Sequence, residues 1–170
     1  DDILFDDPPV LSSLIKIFEF YRAPVVLLER VPNNIVHRFG VVGVRPPKRR
    51  PPGFGNKVYE IKRIIEKPKL KDALSNLTIV GGYVLTHSVF RNLERVAESL
   101  PVAAPDAIPL NVGLQIEMII GGRVYGWEFP GRRFDCGTLE NLKKTEKFLK
   151  SVARKHLPRN HNEDRHLHRS

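Results

Sequence analysis

Among 170 residues there is one cysteine, one methionine and one tryptophan. A single cysteine excludes a disulfide framework and a CxxC zinc site, and fits a reducing compartment. No apolar run approaches the ~18 residues of a membrane-spanning helix, and no signal-peptide pattern opens the chain. The expectation is a soluble cytoplasmic protein with no membrane partner. A phosphate-cradling Gly-rich loop is lacking too, since GFGN at 53–56 has no basic partner pattern. The formal charge of +9 invites a nucleic-acid reading, but nine Lys/Arg against three Asp/Glu lie in 143–170 and four more cations in RPPKRR at 45–50. The rest of the chain is nearly neutral. With basicity confined to one loop and one tail, and no aromatic interleaving or recognition motif, no sequence-specific nucleic-acid partner is expected.

What is present suffices for a core: 41% of residues are hydrophobic and nine are Phe, in a length typical of one domain. Residues 9–22 set Val10, Leu11, Leu14, Ile15, Phe18 and Tyr21 at helical spacing. After Pro24, PVVLLERV reads as a strand, NNIVHRFG as a turn and GVVGV from Gly40 as another strand. The segment 45–56 reads as an exposed Pro/Gly-rich loop with solvated charges. A further strand carries Val58, Ile61 and Ile65 to Glu66-Lys67-Pro68, where proline, unable to donate to a ladder, ends it.

From Leu77, LTIVGGYVL is almost wholly apolar, as a strand covered on both faces would be. Its Gly81-Gly82 pair is costly unless close backbone approach is needed there. Thr86 is a plausible N-cap for a helix burying Val89, Phe90, Leu93, Val96, Ala97 and Leu100. A helix through 110–120 should end at Gly121-Gly122. RVYGWEFPGRRF alternates like a hairpin around Pro-Gly, with Trp127 packed. Asp135 closes its second strand, and Thr138 caps a helix over 139–155 burying Leu139, Leu142, Phe148, Leu149 and Val152. Helix–strand alternation predicts an α/β domain over 1–155, with a mixed, mostly parallel sheet flanked by helices. The polar, His-rich tail 156–170 is expected to be disordered.

IIEKP followed by SNLTIVGGYVLT is similar to the sugar-binding segment of bacterial-type UTP–glucose-1-phosphate uridylyltransferases, whose pattern resembles VEKP…APSNLAIVGRYVLT. Three more segments match in order: Asp1-Asp2 for "PDD", Phe39-Gly40-Val41-Val42 for "YGVV", and Phe134-Asp135-Cys136-Gly137-Thr138 for "YDCGT". The resemblance implies a partial Rossmann-like nucleotidyltransferase fold, truncated at its N-terminal side. It implies formation of UDP-glucose and pyrophosphate from UTP and glucose 1-phosphate, with Mg²⁺ as cofactor. Glu66 would orient glucose, since a carboxylate can accept two hydroxyls at once. Lys67 would meet the sugar phosphate as a point charge. Gly40, Asn76 and Gly81 would line the same rim, and Asp1 and Asp135 would hold the metal.

Read without the resemblance, these residues have plainer roles. Glu66 and Lys67 make a strand-end ion pair, Gly40 a turn glycine, Asp1 part of a frayed acidic terminus, and Asp135 a turn residue. The chain also departs from the family pattern. Ala107, Pro109, Asn111 and Val112 stand where the family has Glu, Gln, Thr and Asp, so polar chemistry gives way to apolar or rigid residues. The family's Gly-rich loop, similar to GxGTR…PK, is missing. The expectation is a chain carrying the sugar-phosphate half of the site, completed by an N-terminal half on another chain or in a longer gene product, with a homo-oligomer also open as a partner. The alternative is a non-catalytic remnant acting as an interaction or regulatory subunit.

Overall fold

In a computed structural model, which describes residues 2–5, 8–101 and 107–156 with side chains through 152, the chain begins with β1 (Asp2–Phe5) and α1 (Val10–Tyr21). Then come β2 (Val25–Arg30), β3 (Gly40–Arg45), β4 (Val58–Glu66) and β5 (Leu77–Val84). α2 (His87–Ser99), α3 (Leu110–Ile119), β6 (Val124–Glu128), β7 (Arg132–Asp135) and α4 (Leu139–His156) follow. Two compact units result: residues 5–131, and residues 2–4 with 132–156. Among the described residues no helix is long and apolar enough to cross a membrane.

In the larger unit five strands close into a barrel in the order β2-β5-β3-β4-β6. Val25, Val26, Leu27 and Leu28 are fully buried, as a central strand flanked on both edges should be. Val26 and Leu28 join Val42, Ile61, Ile64, Leu77, Ile79 and Val124 in the core, which Val89 of α2 and Leu114 of α3 cover. Gly126 is a packing requirement, because a side chain there would overlap Leu28 and approach Ile61.

The α/β class holds, but the mostly parallel, Rossmann-like sheet does not. Among the barrel strands only β2 and β6 run parallel; β2–β5, β3–β4, β3–β5 and β4–β6 are antiparallel. The cause is in the strand order. β2 and β3 run the same way, as do β4 and β5, and a 3-10 turn links each pair (Asn33–Arg38 and Leu70–Asp72). Neither pair is adjacent: β5 lies between β2 and β3, and β3 between β5 and β4, each antiparallel to its neighbours. Among the barrel strands only the link from β5 to β6 carries α-helices.

Local expectations fare unevenly. α1, the strand ending at Glu66 and the end of α3 before Gly121, which takes φ 93°, fall where periodicity and punctuation put them. β5 is buried only through Val80. Phe90, Ala97 and Leu100 are exposed, so α2 buries a narrower stripe than expected, and it includes Asn92. Thr86 stands at the N-cap of α2, yet its hydroxyl meets Ser88 Oγ at 2.8 Å instead of the backbone. The hairpin is also corrected. β6 has both edges taken, by β2 and β4, and β7 pairs with β1.

In the smaller unit Arg133 bonds Asp2 at 3.1 Å and Phe134 packs on Phe148, ring centroids 4.7 Å apart. Thr138 caps α4 as expected, its Oγ1 accepting from Asn141 N–H at 3.2 Å. A two-stranded sheet offers one narrow face, so Thr145 is buried while Leu139 and Leu142, expected inside, are exposed.

Candidate functional site

β3 begins and β4 ends at one edge, where Gly40 pairs with Glu66. Beyond the strand, Lys67 N–H donates to Phe39 C=O at 3.0 Å, and Lys67 turns into the left-handed region at φ 44°. A residue before proline is ordinarily extended, and a left-handed non-glycine costs about 1–2 kcal/mol. The buried Pro68 ring anchors the bend. Glu66 and Lys67 do not pair with each other; among the described residues neither makes an ion pair.

The partner of Glu66 comes from α3. Asn111 Nδ2 donates to Glu66 Oε2 at 2.5 Å, while Asn111 Oδ1 is buried with no partner among the described residues. A Cβ on Gly40 would stand 2.8 Å from Asn111 Nδ2 and 3.0 Å from Glu66 Oε2. Glycine at 40 is therefore what lets the amide and the carboxylate meet over the strand. Burial pushes the Tyr83 phenol up, and the charge on Glu66 adds to the effect, so Tyr83 faces this edge as a neutral hydroxyl. Glu66 itself stays exposed, and it lines an open groove of about 500 Å³ with Lys62, Ile64, Gln115 and Met118. Gln115 Nε2 bonds Ile64 C=O at 3.1 Å and fastens α3 along β4. The chemistry on offer is an exposed acceptor, held on one oxygen and open on the other, beside a flexible ammonium.

The other expected residues are placed differently. Gly81 and Gly82 form a bulge, with Leu27 opposite Val80 and Val26 opposite Tyr83. Gly82 is packed, its Cβ position 3.0 Å from Leu27 Cβ, while Gly81 is exposed. Bulges re-aim the following side chain, here Tyr83. Asn76 is not brought to Glu66. Just before β5 its carbonyl accepts from Val31 N–H at 3.0 Å and its Oδ1 from Arg30 Nη1 at 2.5 Å. Arg30 belongs to a cluster centred on Glu128, which also accepts from Lys57 Nζ at 2.7 Å and Tyr59 OH at 2.8 Å. Burial opposes the charge on Glu128, but the bonds from Lys57, Arg30 and Tyr59 outweigh it and hold its carboxyl down at about 2.

Asp135 lies in the smaller unit. Its Oδ1 accepts from Gly137 N–H at 2.9 Å, the turn role expected of it, and its other oxygen is unengaged among the described residues. That free oxygen suits a monodentate contact to a hard cation. Asp1 lies outside the described residues. Among those described, no three His, Cys, Asp or Glu side chains gather as a metal cluster.

Sequence reasoning missed Asn111 and Tyr83. Asn111 sits in the segment read as stripped of polar chemistry, yet it is polar and reaches Glu66. The available signal was an amide in the first turn of a helix that is mostly apolar.

Residues 1–152 match the family model described as nucleotidyl transferase. A UTP–glucose-1-phosphate uridylyltransferase of Staphylococcus epidermidis is 33% identical over 145 residues, covering 85% of this chain and 46% of the relative. One from Pseudomonas aeruginosa is 27% identical over 133 residues, covering 77% and 43%. Among solved structures, an apo UDP-glucose pyrophosphorylase matches with a TM-score of 0.72 at 28% identity, covering 89% of this chain and 51% of the other. A UDP-glucose pyrophosphorylase complexed with UDP-glucose gives 0.70 at 26% identity, with 88% and 54% covered. The chain spans about half the length of these relatives.

Proposed function

The chain belongs to the nucleotidyl transferase family, and we propose that it carries the sugar-phosphate half of a site joining UTP and glucose 1-phosphate into UDP-glucose and pyrophosphate. The observation that carries the reading is the Glu66–Asn111 pair over Gly40. Asn111 fixes one carboxylate oxygen, leaving the other to accept vicinal sugar hydroxyls. Lys67, bent out of the strand direction, meets the sugar phosphate and steadies the oxygen that attacks the α-phosphorus of UTP. Gly40 makes room for the amide–carboxylate pair, exposed Gly81 gives backbone a sugar can approach, and Asn76 would serve only by releasing Arg30.

Phosphoryl-type transfer depends on positioning and charge neutralisation more than on covalent help. Mg²⁺, held by Asp135 and Asp1, would supply neutralisation at the α-phosphate. No Gly-rich phosphate loop occurs in these 170 residues, so turnover needs the nucleotide half from further sequence, on the same polypeptide or on another. Losing one preorganised donor costs about 3 kcal/mol, and a whole loop more. The interaction-subunit alternative is not favoured: Asn111 places a polar contact in the segment whose sequence suggested lost chemistry.

The test is a calorimetric titration with UDP-glucose. Two charge-assisted contacts of about 1.5–3 kcal/mol each give affinity near 1 mM, or about −4.1 kcal/mol. Glu66→Ala is expected to abolish the heat while leaving thermal stability within about 0.5 kcal/mol. An unchanged titration in that variant would move the site elsewhere.

A further inference from the structure

The basic loop after β3 has exposed cations, as expected, and also helps to wall a second cavity of about 570 Å³. Lys48 and Arg49 line it with Arg22 from the end of α1, Arg123 before β6, and the rings of Tyr21 and Tyr125. Among the described residues none of these four cations has an ion-pair partner, whereas Arg30, Arg45, Lys57 and Lys62 each hold a carboxylate. Two acidic groups act on this cavity, and both are engaged. Glu117, on the wall, accepts from Asn92 at 3.1 Å; Glu60, close enough to act on Tyr21, is bonded by Arg45 at 3.0 Å and Lys62 at 3.4 Å. Four cations against one carboxylate on the wall leave an excess of positive charge in the cleft, which concentrates the field for an anion.

The walls are already built. Tyr21 and Tyr125 stack at 3.6 Å with 10° between their planes. Tyr21 OH donates to Arg49 C=O at 2.5 Å, and the Arg49 guanidinium lies 5.4 Å from the Phe20 ring centroid. Arg22 takes φ 51°, ψ 40° while its N–H donates to Phe18 C=O at 2.6 Å. Helix ends in this conformation usually carry glycine, which would bring no charge to the cavity. Thr86 and Ser88 add hydroxyls to the wall.

We propose that this cavity binds a small polyvalent phosphate, either a free phosphate chain or the triphosphate of a nucleotide. Its volume is within the range of small-molecule sites, and guanidinium forks match phosphate oxygens in pairs. It is distinct from the edge at Glu66. Tyr125 pairs with Glu60, six residues along β4 from Glu66, or ~20 Å at the rise of a strand. The proposal therefore stands whether or not the sugar-phosphate reading does.

Titration of tripolyphosphate into the chain by calorimetry is expected to show saturable one-site binding that weakens with salt. Arg22→Gly removes a cation at a backbone angle glycine prefers. It should weaken binding about tenfold or more with thermal stability kept or raised, so misfolding cannot mimic the result. Arg123→Gln should weaken binding similarly, while Arg95→Gln, an exposed cation of α2 outside the cavity, should leave it unchanged. ATP binding more tightly than tripolyphosphate assigns the site to a nucleotide; equal affinity assigns it to the phosphate chain. Absence of saturable binding overturns the proposal. So does retained affinity in both cavity variants, or an equal loss in Arg95→Gln, which would mark diffuse attraction to a basic protein.

Discussion

Glu128 and Glu66 each close a strand of the same barrel, β6 and β4, but one carboxylate is surrounded and the other left open. The Glu128 side chain is 9% exposed and accepts from Arg30, Lys57 and Tyr59. Glu66 is exposed and, among the described residues, has a single side-chain partner, Asn111. In sequence the two look alike, each a glutamate at the end of an apolar run. The difference lies in spare acceptor capacity. A carboxylate whose lone pairs are taken by its own protein contributes to stability; one held on a single oxygen can still take a ligand.

The sharpest way to break this contrast is Glu128→Ala. Three donors would lose their acceptor in a mostly buried setting, at a cost of about 2–3 kcal/mol given half-exposed cations, or about 5–10 °C in Tm. The acid limb follows from the direction of the shift. Glu128 is held at about 2 against an ordinary 4.5, so its contribution is present above about pH 4.5 and disappears as pH falls toward 2. Thermal melts from pH 6 to 2 should fall more shallowly in the variant than in the parent. Equal midpoints and equal slopes would mean that Glu128 holds nothing together.

Asn111→Ala acts on the other half of the comparison with a smaller effect. It removes the bond to Glu66 and also an amide oxygen buried without a partner, so its stability should change by less than about 1 kcal/mol. UDP-glucose affinity should drop about five- to tenfold, because Glu66 must then be ordered by the ligand itself. Full affinity in this variant would show that Glu66 needs no orienting group.

The elements of this fold were more legible than their pairing. Proline at 68, glycine at 121 and the spacing of Leu14 and Ile17 act locally, and the elements they delimit fall where expected. Strand direction was not local. Nothing in PVVLLERV or LTIVGGYVL reveals an antiparallel partner; it is the interleaved strand order, with β5 between β2 and β3, that makes most neighbours antiparallel. At the site, Gly40, Glu66 and Lys67 were readable because two strand ends bring them together. Asn111 was not, since its meeting with Glu66 spans 45 residues and depends on how α3 lies along β4. Asn76 stands apart for the converse reason: its neighbours in sequence resemble a sugar-binding segment, while its side-chain oxygen accepts from Arg30.

The smallest expected change in stability has the clearest meaning, because it carries the opposite sign to the effect on binding. Lys67→Gly relieves a left-handed backbone at φ 44° worth about 1–2 kcal/mol, and gives back about 0.5–1 kcal/mol through the greater freedom of glycine in the unfolded chain. The net gain should be about 0.5 kcal/mol, or about 1–2 °C in Tm. The same change deletes the ammonium proposed to hold the sugar phosphate, so glucose 1-phosphate affinity should fall about tenfold. Strain kept at one residue in return for function predicts this opposition of signs. If Lys67→Gly is less stable than the parent, the bend before Pro68 is held by contacts of the lysine stem, and its strain says nothing about a site. If it is more stable and binds glucose 1-phosphate as before, the ammonium is not at the phosphate, and Glu66 would hold the sugar without it.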